Sequence, residues 1–426
     1  MIKNYQALSN LYPDGKILLD LAEEALKFLQ PENLIQQHVK LKNNQLIIDQ
    51  KSFALNKYKR IFIIGAGKAT YQMAQVLHKI LKNKITAGYI NVPKAYTKSI
   101  GKIIVNTASH PLPNAQGVKG AKKIMSIVKQ AKEKDLIICL MSGGGSALLP
   151  LPAAGLTLKE KVNLTTKLLK CSANIHEINT IRKHISAIKG GKLAQEAIPA
   201  TIISLYISDV IGDDLNVIAS GPTVKDRSTS KDALAILKKC KIKNKKIKKI
   251  IKNNESVKKI DSQKVFNYII GNNRQALDYI IKIAKKKKYK IKFLTANLKG
   301  EARIVAKKLA IKANKLSAKT IMIAGGETTV KVQGHGYGGR NQELILASLP
   351  YLANNVTALS LATDGVDGIT PRPVAGAIIS NKFNYIDIKR YLKNNNSYSY
   401  LQKIHSVLDT GLTGTNVGDI IMFVKN

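Results

Sequence analysis

Short apolar runs alternate with stretches of helical periodicity along the first half of the chain. RIFIIGAG opens into a helical pattern after Gly67. GYINVP, KIIVNTASHPLP, DLIICLMSGGG and TIISLYISDV follow, with helical patterns starting near Gly117 and Thr157. Apolar runs of this length, bounded by glycine or polar loops, read as buried strands, and their alternation with amphipathic helices predicts an open α/β sheet of mostly parallel strands. The loops fall at the carboxyl edge of that sheet, where such folds bind ligands. After Pro222, VKDRSTSKDAL carries turn and cap signals. A second series then begins with KVFNYIIGNNRQAL and ends on the strand DIIMFVKN. The pattern predicts two α/β domains, residues 1–227 and 228–426, around a shared cleft. The N-terminal segment, MIKNYQALSNLYPDGKILLDLAEEALKFLQP, is broken by Asp20, Glu23 and Glu24 and reads as an amphipathic helix rather than a signal peptide.

Length supports two domains, because 426 residues exceed one ordinary core. The formal net charge of +42 comes from 69 basic residues, of which only eight are arginine. A chain rich in Lys, Asn and Ile and without Trp has the composition of an AT-rich genome, so its lysines are expected on solvated faces. The densest run, Leu237 to Ile260, keeps apolar residues at helical spacing and lacks the aromatics on which bases stack, which argues against a specific nucleic-acid partner. Retention on RNA that is lost when this run is neutralised would reverse that reading. A positive field still attracts small anions. No run approaches the roughly 20 apolar residues of a membrane span. Cys139, Cys171 and Cys240 form neither a CxxC pair nor an even set, and the expectation is a protein of the reducing cytoplasm.

Four glycine loops carry the candidate chemistry: GAGKAT (65–70), SGGGSA (142–147), GGETT (325–329) and GHGYGGRNQE (334–343). Glycine lets a ligand approach backbone amides closely, and a following helix N-terminus favours negative charge. Four such loops, two of them holding a cation (Lys68, Arg340), point to an anion. A dinucleotide fingerprint is disfavoured, because Thr70 replaces the third glycine and no acidic residue lies between Asp49 and Glu133 to bind a ribose. No Walker loop and no protein-kinase motif set is present. Where most cations are lysine, an arginine suggests a need for the planar fork. Arg340 and Arg182 sit beside glycines and polar groups, with Arg182 equally readable as a surface ion-pair residue. Arg60, Arg303 and Arg390 read as structural. Asp209 and Asp364, at strand ends, suit Mg²⁺ held through one or two carboxylates plus substrate phosphates, whereas Asp213 and Asp367 read as turn formers. The histidines show no metal-ligand spacing.

Taken in order, IFIIGAGKA, SHPLP, LMSGGGSALLPLP, EINTIRKHISAIKGGKLA, ISDVIGDDLNVIASGPT, GGETTV, GGRNQE, TDGVDG and TGLTGTNV resemble the glycerate 2-kinase family, whose C-terminal half is the MOFRL domain. The resemblance runs from about Tyr58 to the C-terminus. It implies a Rossmann-like N-terminal domain, a MOFRL-type C-terminal domain, and transfer of phosphate from ATP, with Mg²⁺, to the 2-hydroxyl of D-glycerate. Lys68 and Arg340 match the family's two proposed catalytic cations. On this basis Ser142, Gly143, Gly144, Gly145 and Ser146 are expected to bind phosphate through backbone amides. Lys189, Gly190, Gly191 and Lys192 are expected to hold nucleotide or the glycerate carboxylate, and Gly326, Glu327 and Thr328 to contact the nucleotide. Asp209 is expected to serve Mg²⁺ or the substrate hydroxyl, and Asp364 to serve Mg²⁺. The chain departs from the family pattern at Asn114, at Arg372 and Pro373, and at Gly418. Two alternatives stand beside the kinase: a nicotinamide-dependent hydroxypyruvate reductase, and a degenerate kinase that binds without turnover.

Overall fold

The structure is a computed structural model and describes residues 1–94, 96–381 and 387–426. The chain divides into two compact units, one of residues 34–270 and one formed by residues 1–33 together with 271–426. The division is therefore not the single cut expected at residue 227. The N-terminal segment joins the C-terminal unit because its apolar face has a partner there. In the helix Lys16–Phe28, Ile17, Leu18, Leu21, Ala25 and Leu26 are buried. Phe28 stacks on Tyr279 of the helix Asn273–Lys286 with ring centroids 4.3 Å apart, and Lys287 pairs with Asp20 at 3.5 Å.

Among its described residues, the unit of residues 34–270 holds β1 (Val39–Lys42), β2 (Gln45–Ile48), β3 (Lys51–Ala54), β4 (Arg60–Ala66), β5 (Ala87–Pro93), β6 (Ile103–Ala108), β7 (Asp135–Met141), β8 (Thr201–Ile207) and, running one residue past its end, β9 (Val265–Gly271). β1, β2 and β3 form a small antiparallel sheet that the hydrophobic pattern did not predict, since each strand is only four residues long. The others form one sheet in the order β6-β5-β4-β7-β8-β9, with parallel pairing from β6 through β8. β7 and β8 are buried along their whole length, which explains why they read as continuous apolar runs rather than alternating ones. Chain order runs from β4 outward to β5 and β6, then returns to the other side of β4 with β7. The topological switch therefore lies between β4 and β7.

The other unit holds β10 (Lys290–Leu298), β11 (Thr320–Gly326), β12 (Val356–Ala362), β13 (Gly376–Ser380), β14 (Val407–Leu408) and β15 (Asp419–Lys425), in the order β10-β11-β15-β12-β13-β14. Among the described residues, β10 and β11 pair in parallel and the remaining neighbours pair antiparallel. β15 lies antiparallel between β11 and β12, so the last run of the chain is a central strand.

The lysine-rich run follows its periodicity over residues 245–253. The helix Lys245–Asn253 buries Ile247 and Ile251 and turns its lysines outward. Its helical character ends at Asn253, and Val257 instead donates its backbone N–H to Gly190 O at 2.9 Å. The cysteines differ from expectation. Cys171 and Cys240 close a disulfide with Cα atoms 5.6 Å apart, and Cys139 is a buried free thiol. The pair ends two helices, Leu158–Lys170 and Ser230–Lys239, and 69 residues of sequence separate its members, so no local spacing could reveal it.

Candidate active site

In the unit of residues 34–270, the loops that follow β4 and β7 interlock across the switch point. The Lys68 N–H donates to Gly143 O at 2.9 Å and the Ala69 N–H to Ser142 Oγ at 3.0 Å. The Ser142 hydroxyl is thus spent on fixing one loop to the other. Gly144 holds a left-handed φ of 81°, and a Cβ there would lie 2.8 Å from His110 Cδ2. Only glycine fits this turn and this close approach. His110, given no role from spacing alone, is thereby brought against the loop by SHPLP. Among the described residues, the amides of Gly143 and Gly144 engage no acceptor, while Gly145 donates to Ser142 O at 3.2 Å. Ser146 is half-exposed, and its Oγ lies 3.0 Å from Ser220 Oγ. Lys68 is half-buried beside these loops, and Asp209 is half-buried just after β8.

KGGK lies deeper. The Lys189 ammonium donates to Ala219 O at 2.8 Å, and the Gly190 and Gly191 amides donate to Ser220 O and Gly221 O at 3.1 and 2.7 Å. The Lys192 ammonium is taken by Lys183 O, Ser186 O and Asn254. Burial lowers Lys192 to about 8, against the pull of Glu255 and Asp226.

In the other unit the structure builds Arg340 into a clamp. Gly339 precedes the helix Arg340–Ser348, and buried Asp367 caps it from outside. Asp367 accepts from the backbone N–H groups of Asn341 and Gln342 at 3.0 and 2.8 Å and from both side-chain amides. Asp367 is therefore more than a turn former. Arg340 donates from Nε and Nη2 to Asp419 at 2.6 and 2.8 Å, and its Nη1 lies 3.2 Å from Glu327. Burial pushes Asp419 up to about 7, opposed by Arg340. Burial works to lower Arg340, but hydrogen bonding to Asp419 raises it overall. Asp419, which follows Gly418 in TGTNVGD, was given no role from the sequence, because the partner it holds lies 79 residues away. Gly326 ends β11 opposite Asp419, and Thr328 is buried. Asp364 accepts from Val366 N–H at 3.0 Å, in the manner of a turn. Among the described residues no three His, Cys, Asp or Glu side chains gather into a metal cage.

Residues 17–253 match the family described as a domain of unknown function, DUF4147, and residues 320–419 match the MOFRL family. The D-glycerate 2-kinase of Thermotoga maritima is 38% identical over 379 residues, covering 85% of this chain and 90% of that one. The glycerate 2-kinase of Pyrococcus horikoshii is 37% identical over 433 residues, covering 96% and 97%. The chain belongs to the glycerate 2-kinase family. A crystal structure of the Thermotoga maritima glycerate kinase superposes with a TM-score of 0.86 at 34% identity, over 96% of this chain and 99% of that one.

Against the family pattern, the departures have local explanations. Asn114 accepts from Gly117 N–H at 3.0 Å and so caps the helix Ala115–Lys129 as an aspartate would. Arg372 is exposed and pairs with Asp409 at 2.5 Å. Gly418 has a left-handed φ of 87°, a position where glycine is the least strained residue. Among the arginines read as structural, Arg60 pairs with Asp135 at 2.6 Å and Arg303 with buried Glu343 at 2.7 Å.

Proposed function

We propose that this chain phosphorylates D-glycerate at its 2-hydroxyl with ATP and Mg²⁺, giving 2-phosphoglycerate. The observation that carries the reading is the pair of interlocked glycine loops at the switch between β4 and β7, with Lys68 inside one of them. That crevice is where an open α/β sheet offers unpaired amides to an anion. Membership of a family whose relatives are named glycerate 2-kinases supplies the reaction. Phosphoryl transfer asks mainly for positioning and for neutralisation of charge on the migrating group. Lys68 and Arg340 are assigned to that charge, and the amides of Gly143 and Gly144 to nucleotide phosphate. Asp209 is assigned to Mg²⁺ or to the hydroxyl being phosphorylated. Mg²⁺ would be held by nucleotide phosphates and one or two carboxylates, as is usual for this ion. The reductase alternative lacks support at β5, which ends in Asn91, Val92 and Pro93 where a dinucleotide fold places its ribose carboxylate.

Incubation with ATP, Mg²⁺ and D-glycerate, read by ADP release and by phosphorus NMR of the product, tests this directly. The expected product is 2-phosphoglycerate. Lys68→Ala and Arg340→Ala are each expected to lower kcat by about 10²- to 10³-fold, the range for loss of one charge-stabilising donor. NADH oxidation with hydroxypyruvate and no ADP release would overturn the reading. Chelation of the divalent ion is expected to abolish turnover while leaving the melting temperature unchanged.

A further inference from the structure

The helix Ile175–His184 places Asn179 and Arg182 one turn apart, on the same face. Asn179 is 3% exposed. Its Oδ1 accepts from Ser220 Oγ at 3.0 Å, but its Nδ2 has no partner among the described residues. Lys189, 1% exposed, ends on Ala219 O, one residue from Ser220. Lys161, 6% exposed, reaches only the carbonyls of Pro150 and Leu151, at 3.3 and 3.4 Å. Burial lowers Lys161 to about 7, reinforced by repulsion from Arg182 and Lys192. Lys189 is also held well below the ordinary lysine value, by burial and by repulsion from Lys161 and Arg182. Among the described residues no carboxylate pairs with Lys161, Arg182 or Lys189. Elsewhere in the same unit a buried lysine does have its counterion, since Lys183 meets Asp226 at 2.8 Å. Gathering three cations and an orphaned amide donor in a low-dielectric interior is costly unless an anion joins them. Ala219 and Ser220 hold left-handed φ values of 50° and 63°, backbone strain of the sort that collects at ligand sites.

We propose that Asn179, Arg182 and Lys189 form a subsite for the carboxylate of the phosphoryl acceptor, entered past Ser146. This rests on the kinase reading for the identity of the acceptor. Ser146 closes the glycine loop assigned to phosphate and joins the subsite through Ser220, with both Oγ contacts at 3.0 Å. In a 2-hydroxy acid the carboxylate is bonded to the carbon that bears the reacting hydroxyl, so the two subsites must adjoin. Half-exposed Arg182 gives the ligand a route in.

Steady-state kinetics and thermal melting of the full chain test the assignment. Arg182→Met is expected to raise KM for D-glycerate about 10- to 100-fold, the scale of a lost charge-assisted hydrogen bond, with KM for ATP within about twofold. Asn179→Asp, the second variant, builds an anion into the cluster. It is expected to raise Tm while abolishing the Tm increase that acetate or D-glycerate gives the wild-type protein. An unchanged KM for glycerate overturns the proposal. So does a rise confined to KM for ATP, which would assign the subsite to nucleotide phosphate. If the wild-type chain does not phosphorylate D-glycerate, the kinase reading falls and the melting comparison still decides the subsite. Equal stabilisation of wild type and Asn179→Asp by acetate rejects it, whereas loss of the shift in the variant supports it.

Discussion

Arg340 shows how much of a candidate side chain's behaviour is set by residues distant in the sequence. A lone guanidinium at a helix start would sweep a wide arc, but Asp419 holds it bidentately and fixes the plane of the fork. The arrangement carries a pH dependence. Burial raises Asp419 to about 7 and raises Asp367 as well, above the unfolded carboxylate value of about 4. For Asp419, between those values the folded chain binds more protons than the unfolded one, so its contribution to stability declines as pH rises from about 4 toward 7. Ionised Asp419 is the form that holds Arg340, so kcat/KM is expected to climb as pH increases through about 7. Asp419→Asn should flatten that limb of the pH profile. Arg303, read as structural, is held by a buried carboxylate. Its partner Glu343 is 2% exposed, so Arg303→Ala is expected to cost about 3 kcal/mol in denaturant unfolding, the lower end of the range for breaking a buried pair.

At the scale of elements, the helix starts near Thr157 and after VKDRSTS were legible because their caps are local, whereas the one after Asn174 was not read. Thr157 and Glu160, Asn174 and Glu177, and Thr229 and Asp232 each form a reciprocal capping box three residues apart. Thr157→Ala is expected to lower stability by about 1 kcal/mol in a urea melt. The buried strands β7, β8, β11 and β12 were equally legible, since a strand covered on both faces needs an unbroken apolar run. The pairing direction in the second sheet was not. A short apolar run carries no record of its neighbour, and DIIMFVKN reads the same as an edge or as the central antiparallel strand it forms. The small sheet of β1 to β3 escaped for a related reason, because its burial rests on few positions, including Leu46, Ile48 and Phe53.

For the whole molecule, the return of residues 1–33 to the C-terminal unit has a measurable consequence. Their removal strips the apolar cover provided by Leu18, Leu21 and Leu26, all 0% exposed. Chains lacking this segment are expected to lose cooperative unfolding of residues 271–426, followed by hydrogen exchange, while residues 34–270 keep their protection. The net charge of +42 also acts globally, and added salt should raise the melting temperature by screening self-repulsion. Sequence by itself determined the α/β class, the glycine loops and the two cations singled out for chemistry, because periodicity, turn residues and scarce arginines act within a few positions of one another. Tertiary structure alone decided that Asp419 grips Arg340, that Asp367 caps its helix, that Cys171 meets Cys240, and that Lys161, Arg182 and Lys189 share one interior. These depend on which distant segments are brought into contact, and the electrostatic cost of a buried charge exists only once the chain has closed around it.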